Sequence, residues 1–121
     1  MNHAETVGDK GTRALSQSGC EGLSLGIMEN RGGIVVGMTN TPEMGAGGNT
    51  FNAVFGMTRN PRDTSKNAGG SSGGAAASLA SGEVWLSHGS DFAGSLRTPA
   101  ALCGIVGLRP VSYTHLRAHE T

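Results

Sequence analysis

Hydrophobic residues occur in short runs that are separated by glycines and polar residues. The most regular run is alanine-rich and covers residues 73–80, where the high helix propensity of alanine predicts a helix. Ser71 or Ser72 stands where an N-terminal cap is expected. Gly82 stands where a helix of this length would end. This predicted helix is the centre of the sequence pattern.

Two further runs have the composition of buried strands. Residues 34–37 (IVVG) and 84–86 (VWL) are rich in β-branched and aromatic side chains, which are enriched in strands. One short helix is predicted over about 23–31, ended by a glycine pair, and another begins with Thr98 as its cap. Residues 45–68 are polar and contain glycines, which predicts a long loop. Because strands and helices alternate, the predicted fold class is α/β.

Composition limits what this chain does. Its 121 residues are the size of one small domain. Nine basic and nine acidic side chains give a net charge of zero, so electrostatics offer no case for a nucleic-acid partner or a membrane surface. Only 36% of residues are hydrophobic and 21 are glycine, which predicts a small core. Cys20 and Cys103 lie far apart and are typical of reduced thiols, which predicts a cytoplasmic location.

Two serines lie in glycine turns, Ser71 within 69–74 (GGSSGG) and Ser95 at the end of 89–95 (GSDFAGS). Glycines allow the backbone to approach a ligand closely, and a following helix presents unpaired N–H groups. Such turns can cradle a phosphate, form an oxyanion hole or carry a nucleophile. A Walker-type phosphate loop would need a lysine at its end, which this turn lacks. A flexible Gly/Ser linker would explain the first turn but not the second.

The two turns form part of a longer pattern. After GGSSGG and the alanine-rich run come GSDFAGSLR at 89–97, TPAALCG at 98–104 and GLRP at 107–110. Over roughly residues 23–110 the chain resembles the amidase signature family, whose hallmark runs GGSSGG, a helix and then GTDxGGSxRxPAxxCGxxGxKP. The resemblance implies an α/β fold in which a mixed β-sheet is covered by helices on both sides. This chain would be a fragment of that domain.

The resemblance also implies amide-bond hydrolysis by a Ser–Ser–Lys triad through an acyl-enzyme. Ser95 would be the nucleophile, and Ser71, held by a cis peptide bond, would relay protons between Ser95 and a lysine. The oxyanion hole and the groups that order the site would comprise the backbone N–H groups of Phe92, Ala93, Gly94 and Ser95, with Ser72, Asp91 and Arg97 as ordering residues. The implied substrate is a small-molecule amide. The resemblance implies neither a cofactor nor a metal.

The chain departs from the family pattern at several positions. The catalytic lysine of the family comes from a separate upstream segment, whereas the lysines here are Lys10 and Lys66, neither in such a segment. Ala93 replaces a glycine and is tolerated only if its φ stays negative. Arg62 stands where the family often has tryptophan. We therefore expect the lysine to lie outside this chain, and we expect negligible hydrolysis by the chain alone, because its small core is split.

The ends of the chain fit the pattern less well. Residues 1–22 are unassigned, residues 23–110 are the partial amidase signature domain, and residues 111–121 do not resemble the family. The last segment matches a translated sequencing-library adapter, so we hypothesise that it is an assembly artefact. His115 and His119 have i, i+4 spacing without a third ligand, and no metal site is predicted. Two alternative functions remain, a glycine-rich anion- or phosphate-binding module and a non-catalytic amidase-like protein.

Overall fold

The computed structural model describes residues 26–110, which fall into two compact units. The first unit contains described residues 26–38, of which residues 26–30 are helical. The N–H of Gly33 donates to the Met28 carbonyl at 2.8 Å and that of Gly32 to the Glu29 carbonyl at 3.0 Å. Gly32 has a φ of +88°, so the helix ends in a Schellman motif. The predicted glycine end is confirmed, while residues 23–25 lie outside the described part.

The two predicted strands are not formed. Residues 34–37 and 84–86 have no strand structure, and their apolar side chains are exposed, at 87% for Ile34 and 100% for Trp85. A β-branched or aromatic run indicates side chains that suit a half-buried pleated surface. A strand also requires a neighbour to pair its backbone N–H and C=O groups. No segment within residues 26–110 pairs with either run, so the prediction of buried strands is wrong here.

The second unit, described over residues 39–110, begins with a short 3-10 helix at Glu43–Gly45 and two β-hairpins. Strand β1 (Phe51–Asn52) pairs with β2 (Gly56–Met57), and β3 (Arg59–Asn60) pairs with β4 (Asp63–Asn67), both antiparallel. The prediction of a long loop over 45–68 is therefore wrong. Asparagine side chains form the turns that it missed.

Each hairpin turn is closed by an asparagine carbonyl oxygen. Asn52 Oδ1 accepts the N–H groups of Val54 and Phe55 at 3.0 and 2.7 Å. Asn60 Oδ1 accepts the N–H of Arg62 at 2.9 Å. Asparagine favours such turns because its side chain replaces a backbone acceptor. The strands between the turns are too short to show an alternating hydrophobic pattern.

Two helices complete this unit. Helix α1 covers Gly73–Ala80, as predicted, and ends at Gly82 with a φ of +77°. Helix α2 covers Arg97–Cys103, so it begins before Thr98, and Thr98 is not its cap. Neither predicted serine caps α1 with its side chain. In the part of the chain that the structure describes, no helix is long and apolar enough to cross a membrane.

The core is small and consists of short side chains. Helices α1 and α2 pack together around a cluster made up of Ala68, Ala76, Ala77 and Cys103. The segment that leads into α1 lies directly against neighbouring backbone. A Cβ atom on Gly70 would lie 2.8 Å from the Gly47 carbonyl oxygen, and the Gly74 N–H donates to the Asn40 carbonyl at 3.1 Å. Larger side chains would not fit in this segment.

Polar side chains of the second hairpin hold the end of α2. Arg62 donates from Nε to the Cys103 carbonyl at 2.8 Å and from Nη2 to the Gly104 carbonyl at 3.1 Å. Asn60 Nδ2 donates to the Leu102 carbonyl at 2.7 Å. These carbonyls are unpaired at a helix end, and cations are favourable there. Arg62 therefore has a structural use at the position where a tryptophan was expected.

Candidate active site

The structure brings the two serine turns into contact, and Ser72 joins them. The Ser72 N–H donates to the Ser95 carbonyl at 3.2 Å. Its hydroxyl donates to the Ser90 carbonyl and accepts the Ser90 N–H, both at 3.2 Å. Ser72 is 6% exposed, so these bonds are shielded from water. The side chain that was predicted to cap α1 instead connects the turns around Ser71 and Ser95.

Ser71 is held from the opposite side by Thr50. The Gly70–Ser71 peptide bond is cis, the form that the family resemblance implies. The Thr50 hydroxyl donates to the Ser71 carbonyl at 3.2 Å and accepts the Gly73 N–H at 3.0 Å. Thr50 is fully buried. Its hydroxyl occupies the place of an N-terminal cap on α1, although it lies 23 residues away in sequence. A single threonine in a polar stretch gave no sequence signal for this role.

The turn before Ser95 folds around the carboxylate of Asp91. Asp91 Oδ1 accepts the Gly94 N–H at 2.8 Å, and Oδ2 accepts the N–H groups of Leu96 and Arg97 at 3.1 and 3.3 Å. This carboxylate therefore caps the start of α2. Ser95 itself is half-buried. No hydrogen bond joins the side chains of Ser71 and Ser95, both within the described residues.

Two arginines balance the Asp91 charge. Arg97 pairs with it through two bonds, Nε to Oδ2 and Nη2 to Oδ1, both at 3.0 Å. Arg109 Nε lies 3.4 Å from Oδ1. The Asp91 side chain is only 1% exposed, and burial alone would raise its pKa. The Arg97 bonds, with the backbone N–H groups, outweigh that effect and hold the pKa of Asp91 well below its usual range. Asp91 is ionised at neutral pH.

Three of the four amides expected in the oxyanion hole have no protein acceptor among residues 26–110. These are the N–H groups of Phe92, Ala93 and Ser95. The Gly94 N–H is different because it donates to Asp91, so it is not free to bind an oxyanion in this conformation. Met44 is the one non-glycine residue with a positive φ in the described part. Ala93 therefore meets the condition under which an alanine is tolerated in this turn.

Lys66 does not approach the serine turns as a free base. It lies in β4 with its side chain 72% exposed, and Nζ pairs with Asp63 Oδ2 at 2.8 Å. The hydrogen bond and charge of Asp63 raise the pKa of Lys66. A general base needs the opposite shift, toward neutral pH. Lys10 lies outside the described residues.

An open groove of about 800 Å³ lies beside the joined turns. Ser72 and Asp91 lie at one side, and apolar side chains such as Leu79, Leu86 and Ile105 form the rest of its wall. Ser71 and Ser95 do not line it. Within residues 26–110 no group of three or more His, Cys, Asp or Glu side chains is placed to hold a metal ion.

Comparison with known proteins identifies the class to which this arrangement belongs. The Amidase family profile matches residues 16–117. The chain belongs to the amidase family, which confirms the resemblance found in the sequence.

Individual relatives agree with this assignment. AtzE, which is part of the 1-carboxybiuret hydrolase of Pseudomonas sp. (strain ADP), is 44% identical over 104 residues, which are 86% of this chain and 23% of that protein. A glutamyl-tRNA(Gln) amidotransferase polypeptide of Gloeobacter violaceus is 49% identical over 83 residues, which are 69% of this chain and 17% of that protein. The chain therefore spans about a fifth of the length of these relatives.

A solved structure shares the fold. The 6-aminohexanoate cyclic dimer hydrolase in complex with substrate superposes with a TM-score of 0.62 at 44% identity, over 64% of this chain and 16% of that protein. The α/β fold class is confirmed, and the chain corresponds to a fragment of the amidase signature domain.

Proposed function

We propose that residues 23–110 are the part of an amidase that carries the nucleophile and that Ser95 hydrolyses amide bonds. The observation that carries this proposal is the joint at Ser72, which holds the Ser71 and Ser95 turns together. Unpaired N–H groups follow Asp91 on the same turn. A carbonyl oxygen bound there would place its carbon next to the Ser95 hydroxyl.

The reaction has two steps. Ser95 Oγ attacks the carbonyl carbon and loses its proton, with Ser71 relaying that proton toward a lysine. The carbon–nitrogen bond then breaks, and the leaving amine takes up a proton. Water hydrolyses the acyl-serine and regenerates the hydroxyl. Since Lys66 is paired with Asp63, we assign the lysine to a segment other than residues 26–110. We expect negligible hydrolysis by the 121-residue chain alone.

The N-terminus of α1 argues against the anion-binding alternative. A phosphate at this position would need free N–H groups at the start of the helix. The Thr50 hydroxyl already accepts the Gly73 N–H, and the Asn40 carbonyl accepts that of Gly74. Two of the donors that a phosphate would use are therefore occupied by the protein.

The names of the relatives indicate the class of substrate. They include a hydrolase of a cyclic 6-aminohexanoate dimer and a polypeptide of an amidotransferase. We propose a small-molecule amide as the substrate, with no cofactor and no nucleic-acid or membrane partner. A cytoplasmic location is also proposed, on the support of the free and buried Cys103.

A chimera tests the proposal without requiring the chain to fold alone. Residues 26–110 replace the matching segment of the 6-aminohexanoate cyclic dimer hydrolase, and hydrolysis of that cyclic dimer is measured. We expect activity that Ser95→Ala lowers by about 10³-fold or more. We also expect Ser95 to be labelled by a fluorophosphonate. Ser65→Ala, an exposed hairpin serine, is the matched control and should retain activity. A chimera that melts cooperatively yet loses nothing in Ser95→Ala would refute the proposed nucleophile.

A further inference from the structure

Arg109 makes a contact that the chemistry described so far does not use. Its Nε donates to the main-chain carbonyl oxygen of Asp91 at 3.0 Å, besides lying 3.4 Å from the carboxylate. The side chain is 38% exposed, so the stem is largely covered and the guanidinium is held in place. Arg97 differs because both of its side-chain bonds go to the carboxylate.

The peptide bond that Arg109 holds contains the first amide of the proposed oxyanion hole. A trans peptide is planar, with its C=O and N–H pointing in opposite directions. Fixing the Asp91 oxygen therefore fixes the direction of the Phe92 N–H. No other group among residues 26–110 bonds to that oxygen. The Asp91 carboxylate orders residues 94–97 but does not bond to the peptide that links Asp91 and Phe92.

We propose that Arg109 is a positioning residue that aims the Phe92 N–H at the developing oxyanion. This inference rests on the proposed amidase function. Oxyanion donors act because they are fixed before the reaction begins. A peptide plane free to rotate would lose that advantage without changing the nucleophile. Arg109 therefore supports the rate of the chemical step and contributes little to substrate affinity.

The chimera described above serves for the test. Arg109→Met keeps most of the stem and removes every donor, whereas Arg109→Lys keeps a charge and a donor. Arg59→Met, at an exposed arginine whose side chain donates to the Thr64 carbonyl, is the matched control. For Arg109→Met we expect kcat to fall about 10- to 100-fold, with KM within about threefold. A boronic acid that mimics the tetrahedral intermediate should bind more weakly by a similar factor.

The outcomes separate this inference from the proposed function. Arg109→Lys should keep kcat within about threefold of the parent chimera, and this variant decides the question if Arg109→Met does not fold. An unchanged kcat in folded Arg109→Met, or an equal loss in the lysine variant, would overturn the role of Arg109 and leave Ser95 as the nucleophile. Loss of fluorophosphonate labelling in the parent chimera would instead overturn the proposed function itself.

Discussion

Replacing Asp91 by asparagine removes a buried charge and turns one acceptor oxygen into a donor. Oδ1 accepts two N–H groups, from Gly94 and the Arg97 side chain. Oδ2 accepts three, from Leu96 and from both the backbone and side chain of Arg97. Whichever oxygen becomes the amide nitrogen, at least two donors then face a donor. Charge-assisted hydrogen bonds contribute about 1.5–3 kcal/mol each. Because Arg97 is 57% exposed, we take the low end and expect a loss of about 3 kcal/mol.

This prediction is measured on the chimera by urea unfolding and by steady-state kinetics. Asp91→Asn should lower the unfolding midpoint and, because the turn loosens, lower kcat as well. Asp63→Asn is the matched control, since that carboxylate is 42% exposed and pairs with an exposed lysine. We expect no measurable change there. If both variants unfold at the midpoint of the parent, the carboxylate does not organise the turn and the reasoning fails.

Three further predictions concern the supports of the site. Arg62→Met should destabilise the chimera by about 1 kcal/mol, because two carbonyls at the end of α2 lose their donor, while Arg59→Met should have no effect on the urea midpoint. Thr50→Val should cost about 2 kcal/mol by leaving a buried helix N–H unpaired, which Thr50→Ser should restore and Thr64→Val should not imitate. The low pKa of Asp91 stabilises the folded state above pH ~4, and that contribution is lost as pH falls further. The difference in melting temperature between parent and Asp91→Asn should therefore narrow in acid, and a constant difference would contradict this.

Local sequence signals predicted the helices better than the strands. Helix α1 follows from alanine propensity and a terminal glycine, both of which act within one turn of chain. A strand depends on a partner segment, so the IVVG and VWL runs could not form one from their composition alone. The hairpins were missed because asparagine side chains, at Asn52 and Asn60, set their turns. Their strands are too polar to show a period of two.

The site was predictable where a spaced motif specifies it and unpredictable where a single distant residue supports it. The family pattern led to the cis peptide at Ser71, and Ser72 and Asp91 make the contacts that an ordering role requires. The roles of Ser71 and Ser95 in catalysis stay predictions. Thr50 and Arg109 could not have been found, because each acts through one contact across at least 18 residues of sequence. The pattern also gave no sign that the Gly94 N–H would be occupied by Asp91.

The close packing of the segment before α1 separates two kinds of constraint on this sequence. At Gly70 a methyl group would meet the Gly47 carbonyl, whatever reaction the protein performs. A descendant that had lost catalysis would therefore still need these glycines in order to fold. The hydroxyl of Ser95 makes no hydrogen bond within residues 26–110, so its loss would leave the packing intact. When active and inactive members of the family are sorted by sequence, Ser95 is the informative position and the glycines of the first turn are not.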